Sequence, residues 1–140
     1  MFFTILIVFI IFILFNFFND LNKDNYDLQG QAVDEKFSIV VVAINEYAFI
    51  GRGKLTKLDK RSFNLYEVGG NQIIHFVYGT GHLTIIWKYK YFQKEVVYEK
   101  QFNNVRNISV FQQERIAKVI IQEMDEVINE HKSSILKEGY

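Results

Sequence analysis

Seventeen consecutive residues near the start of the chain, positions 2–18, carry no charge and are built almost wholly from Phe, Ile, Leu and Val, with Thr4 and Asn16 as interruptions. Wound as a helix rising 1.5 Å per residue, the run would be ~25 Å long. A bilayer presents ~30 Å of hydrocarbon and takes spans of ~17–25 residues. A helix that is apolar on every side has no wet face to offer to solvent. Each Leu, Ile, Phe or Val near the helix centre favours insertion by ~0.3–0.6 kcal/mol, so residues 1–18 read as a single transmembrane anchor whose partner is the lipid bilayer, met through residues 2–18.

The competing reading is a cleaved signal peptide. That would require basic residues before the apolar run and a small-x-small site after it. Nothing basic precedes the run, and Asn16-Phe17-Phe18-Asn19-Asp20-Leu21 closes it. An uncleaved signal-anchor is therefore expected. Lys and Arg near membrane ends bias orientation, and Lys23 and Lys36 on the C-terminal side lean toward a cytoplasmic body.

All of the charge lies beyond the run. The 16 basic and 16 acidic residues cancel, leaving no global field to attract nucleic acid, and no nucleic-acid partner is expected. A greasy leader and a body of ordinary composition exclude a wholly disordered chain, a polytopic membrane protein and a multidomain enzyme. Locally the charge is uneven. Residues 51–100 carry nine basic against four acidic side chains, so any electrostatic partner belongs there. With no cysteine, thiolate metal sites, disulfides and cysteine nucleophiles are excluded. With no proline either, the turns fall to Gly, Asn and Asp.

Residues 19–35 are polar and read as a juxtamembrane linker or a frayed extension of the anchor, residues 36–132 as one globular α+β domain, and residues 133–140 as a loose C-terminal tail. Phe37-Ser38-Ile39-Val40-Val41-Val42-Ala43-Ile44 is short, β-branched and nearly continuous in its apolar character, the pattern of a strand covered on both faces. Two aromatic and β-branched runs, 72–78 and 82–92, flank Gly79-Thr80-Gly81 and form a hairpin. If the loop has three residues, Tyr78 pairs with His82. Ile73, His75, Val77, Leu83, Ile85, Trp87, Tyr89 and Tyr91 then share the core face, with Lys88 and Lys90 on the other.

Gly69-Gly70-Asn71 and Gln93-Lys94 make further turns, and the sequential order favours an antiparallel meander of about six strands. Ser109 and Gln112 form a capping-box pair opening a C-terminal amphipathic helix, with Ile116, Val119, Ile120, Met124, Val127 and Ile128 as its apolar stripe. Strands followed by one C-terminal helix are compatible with a pleckstrin-homology-like half barrel, an analogy of architecture only.

No catalytic constellation emerges, so no enzyme, cofactor or metal is expected. His75 and His82 would face opposite sides of the sheet in the register above and cannot share an ion, and His131 ends the helical stripe. Glu95 and Glu99 would stand ~13 Å apart along one strand, too wide for paired carboxylate chemistry. The segment 52–61 stands out: Arg52, Lys54, Lys57, Lys60 and Arg61, beside Gly51 and Gly53, are candidates for binding an anionic lipid head group or phosphate. Its alternation of charged and apolar residues equally describes an edge strand kept soluble by lysines.

Two functional expectations follow. The first is a single-pass anchored domain acting in protein interaction, as an accessory subunit of a membrane assembly. The alternative is an anionic-lipid or phosphate-binding module acting through the basic segment. A pilin-like subunit is a poorer fit, since no basic leader precedes the apolar run and no acidic residue lies within it.

Overall fold

The computed structural model of the protein describes residues 1–29 and 31–139. Gly30, inside the expected linker, and Tyr140, at the end of the expected tail, lie outside the described residues. The elements run α1 (Phe2–Gln29), α2 (Val33–Lys36), α3 (Ser38–Phe49), β1 (Lys54–Lys57), β2 (Ser62–Tyr66), β3 (Gln72–Gly79), β4 (His82–Tyr91), β5 (Lys94–Phe102) and α4 (Val110–Glu138). The strands make one open antiparallel sheet in the order β1-β2-β3-β4-β5. The fold is the expected α+β arrangement of apolar helix, antiparallel meander and C-terminal helix.

The apolar run does not end in a linker. α1 continues without a break through the polar residues 19–29, and its first part is long and apolar enough to cross a membrane, with none of that stretch buried. The signal for continuation is the spacing of Leu21, Asp24, Asp27 and Leu28, which recur at helical intervals and turn toward the body. The tail is also more regular than expected, since α4 runs to Glu138.

The expected strand at 37–44 is instead the helix α3. Phe37, Val40, Val41, Ile44 and Phe49 are buried while Ser38, Val42 and Glu46 are exposed, which is a helical stripe. A short apolar run carries no periodicity that separates a buried strand from a buried helix. β-Branched propensity is weak enough for packing to override. The start of α3 lacks a side-chain cap of its own, and Gln113 from α4 supplies one: its Oε1 accepts the Ile39 N–H at 3.2 Å while its Nε2 donates to the Lys36 carbonyl at 2.9 Å.

The β3–β4 loop has two residues rather than three. Thr80 and Gly81 both take positive φ, 51° and 74°, as a type I′ turn requires, and Gly79 pairs with His82. One residue fewer in the loop shifts the pairing by one and reverses which face of β3 meets the core. Ile74, Phe76 and Tyr78 are therefore buried beside Leu83, Ile85, Trp87 and Tyr89, while Ile73, His75 and Val77 share the outer face with Thr84, Ile86 and Lys88. The assignment for β4 stands, and that for β3 is corrected.

α3 and α4 cover the inner face together. Ile116, Ile120, Met124 and Ile128 of α4 meet the sheet and α3, and Phe63 stacks on Phe76 at 4.6 Å between ring centroids. The indole of Trp87, fully buried, donates to Gln72 Oε1 at 2.8 Å, and Gln72 donates to the Ala48 carbonyl of α3 at 2.9 Å. The capping box is formed, with Gln112 N–H donating to Ser109 Oγ at 3.2 Å and Ser109 N–H donating to Gln112 Oε1 at 3.0 Å. Among the described residues no helix covers the outer face of the sheet.

Candidate functional site

The antiparallel order puts the β1–β2 turn, the β3–β4 turn and the β5–α4 connection at one end of the sheet, and the polar part of α1 lies against that end. Its centre is Asp24, a carboxylate with no exposed surface. Asp24 Oδ1 accepts from the Gly81 N–H at 3.0 Å and from Arg106 Nη2 at 2.8 Å. Asp24 Oδ2 accepts from the Thr80 N–H and from Arg61 Nη1, the latter at 3.5 Å. Four donors meet the four lone-pair positions of one carboxylate, so its burial is compensated. The same arginines hold the helix backbone: Arg61 Nη2 donates to the Leu21 carbonyl at 3.2 Å and to Asn25 Oδ1 at 2.6 Å, and Arg106 Nη2 to the Asp20 carbonyl at 3.4 Å. Hydrogen bonding to Asp24 holds the Arg106 guanidinium above its ordinary pKa.

One turn further along α1, Asp27 Oδ2 stands 2.8 Å from Lys36 Nζ and accepts from the Tyr78 hydroxyl at 3.1 Å. Lys36 is itself buried, donates to the Arg106 carbonyl, and lies over the rings of Phe37 and Tyr78 at 5.8 and 5.6 Å. Burial pushes the Tyr78 hydroxyl up, and the charges of Asp27 and Asp24 add to the shift. Chemically the arrangement is a clamp, its carboxylates engaged by guanidinium, ammonium, hydroxyl and backbone donors, with Arg106 Nε left buried and without a partner among the described residues.

The five basic candidates do not converge. Lys54 and Lys57 are the two ends of the edge strand β1, and the segment 52–61 runs from one end of the sheet to the other, as the edge-strand reading has it. At the far end Arg52 Nε lies 3.4 Å from Glu67 Oε1. Lys57 Nζ lies 3.4 Å from Asp34 Oδ1, and Arg61 is committed to Asp24. Lys54 and Lys60 are exposed, with no ion-pair partner among the described residues.

The histidines are also redistributed. The one-residue register shift puts His75 and His82 on the same face, not on opposite ones, but His75 pairs with Ile86, four positions along β4 from His82, or ~13 Å. His75 sits on the outer face rather than in the core, and its Nδ1 is 2.6 Å from Asn64 Oδ1 of the neighbouring strand. His131 Nε2 lies 2.9 Å from the Lys94 carbonyl. No group of three or more His, Asp or Glu that would hold a metal ion occurs among the described residues.

Asp24, Asp27, Lys36, Tyr78 and Arg106 were not among the candidates from sequence. The acidic pair at i and i+3 on the face continuing the apolar helix was the available signal, but its partners lie far along the chain. Compared with protein families, with curated proteins and with solved structures, the chain matches none.

Proposed function

We propose that this protein is a single-pass membrane protein whose α1 anchors it in the bilayer and whose body acts in protein interaction, as an accessory subunit of a larger membrane assembly. The observation that carries the reading is the continuity of α1: an exposed apolar stretch runs into a polar stretch clamped to the body through Asp24. A body joined in this way is held in one orientation above its anchor, which suits presentation of a surface to a neighbour better than a tethered, freely swinging domain would. The uncovered outer face of the sheet, with Ile73, Val77, Ile86 and Val97 across adjacent strands, is the surface it would present. Lys23 and Lys36 favour a cytoplasmic body.

The test is native size after mild detergent extraction. A particle larger than the detergent-bound monomer, reduced to monomer size by Ile73→Lys with Val97→Lys, is the expected result. A monomer unaffected by those changes overturns the interaction reading. Full-length protein recovered in a high-speed supernatant without detergent overturns the anchor.

The alternative, recognition of an anionic head group or phosphate by residues 52–61, draws less support, because three of its five cations already face carboxylates. Its test is salt-sensitive binding to anionic vesicles that is lost when Arg52, Lys54, Lys57 and Arg61 are neutralised.

A further inference from the structure

We infer that the body rests on the bilayer through the β5–α4 connection and the first turn of α4, with the side chains of Val110 and Phe111 in that turn entering the interfacial layer beside α1. The inference rests on the reading of α1 as a membrane anchor. The apolar run ends at Phe18, and Arg106 bonds to α1 at the Asp20 carbonyl and the Asp24 carboxylate. Those positions are two and six residues past the run, or ~3 and ~9 Å along the helix axis. The polar layer on each side of the hydrocarbon is ~5–7 Å deep. The loop that carries Arg106 therefore meets α1 from within the head-group layer, at Asp20, to just beyond it, at Asp24.

Two further observations press it inward. At ~25 Å the apolar run is shorter than a ~30 Å hydrocarbon core, and a short span is accommodated by thinning the bilayer or drawing flanking residues into it. Val110 and Phe111 follow Arg106 closely and are 60% and 66% exposed, an aromatic and a β-branched residue with no partner in the core. α4 begins at this end of the sheet and finishes at the other, where Glu138 meets Lys94. Because Cα–Cβ bonds lean toward a helix's N-terminus, the side chains of its first turn lean back toward the bilayer end.

Most of the charges at this end are paired: Arg61 and Arg106 share Asp24, Lys36 meets Asp27 and Lys23 lies 4.0 Å from Asp20, while Lys60 of the β1–β2 turn has no ion-pair partner among the described residues. The contact itself is made by the apolar side chains of Val110 and Phe111, so it calls for no anionic lipid, unlike binding through the basic segment.

The chain contains no cysteine, so a single introduced one is a unique label site. Full-length Phe111→Cys, Ile10→Cys and Phe92→Cys, each carrying an environment-sensitive fluorophore, would be reconstituted in phosphatidylcholine vesicles containing lipids spin-labelled either near the head group or deep in the acyl chain. Phe92 is the control, an exposed side chain in the β4–β5 turn at the opposite end of the sheet. Strong shallow quenching at position 111, deep quenching at position 10 and little at position 92, all unchanged when phosphatidylserine is added, is the expected result. Equal quenching at 111 and 92, with position 10 still quenched, overturns the contact and leaves the anchor. Loss of quenching at position 10 overturns the anchor itself. Quenching at 111 that requires phosphatidylserine overturns the apolar character of the contact.

Discussion

Arg106 Nη2 lies 2.8 Å from Asp24 Oδ1 across 82 residues of sequence, and that contact joins α1 to the β5–α4 connection at the near end of the sheet. Around it the Gly81 amide and Arg61 reach the same carboxylate, so the helix, the hairpin and two loops meet at one side chain.

Asp24→Asn leaves two guanidinium groups without their anion and points an NH2 group at backbone donors. Breaking a buried pair from one side costs about 3–5 kcal/mol. The full chain in detergent should melt at markedly lower temperature, followed through the fluorescence of buried Trp87, and the Thr80 and Gly81 amides should exchange faster. An unchanged melting temperature would show that the clamp contributes nothing.

The junction between α3 and β1 carries two opposed predictions. A Cβ on Gly53 would lie 2.4 Å from Asn45 Oδ1 and 2.9 Å from the Phe49 ring, so Gly53→Ala should destabilise by about 1–3 kcal/mol. Ile50 stands in the left-handed region at φ 53° and is 74% exposed. Relieving that conformation with Ile50→Gly should stabilise by about 1 kcal/mol. Denaturant midpoints of the two variants should move in opposite directions.

Glu123 on α4 is held below the ordinary carboxylate range by hydrogen bonds from Lys100 first and then from the Tyr98 hydroxyl. A depressed folded-state value contributes stability above the unfolded value of about 4.3, and that stability is lost as pH falls through the folded value. Melting temperature should therefore fall on acidification below about pH 4.5, and less steeply in Glu123→Gln. Parallel profiles for the two proteins would refute the assignment.

Ile10→Arg puts a charge at the middle of the apolar run at a cost of about 3 kcal/mol on insertion scales. The variant should shift from the membrane fraction toward the soluble or aggregated fraction, while Lys60→Gln on the exposed turn should not move.

Ile120 is fully buried between the sheet and α3. Ile120→Asp would place an unpaired charge there and should abolish cooperative melting of the body, whereas Lys118→Ala on the exposed side of α4 should melt like the parent.

Much of this architecture can be read locally. The uncharged run of residues 2–18 dictates an apolar helix whatever follows it, because nothing in it can face water. Ser109, Gln112 and the spaced apolar residues after them write out α4, since capping and amphipathicity involve neighbours one to four positions apart. The meander is legible for the same reason: its turns are short and its strands follow in order. Tertiary structure decided what depends on distant partners. Residues 38–49 carry an apolar pattern that suits strand or helix, and the space beside α4, with Gln113 capping Ile39, selected the helix. The core face of β3 turned on whether its loop held two residues or three, a difference of one hydrogen-bonded pair. Asp24 resembles any surface carboxylate until Arg61, Thr80, Gly81 and Arg106 are folded around it, because a buried charge is tolerated only where the whole chain supplies its donors.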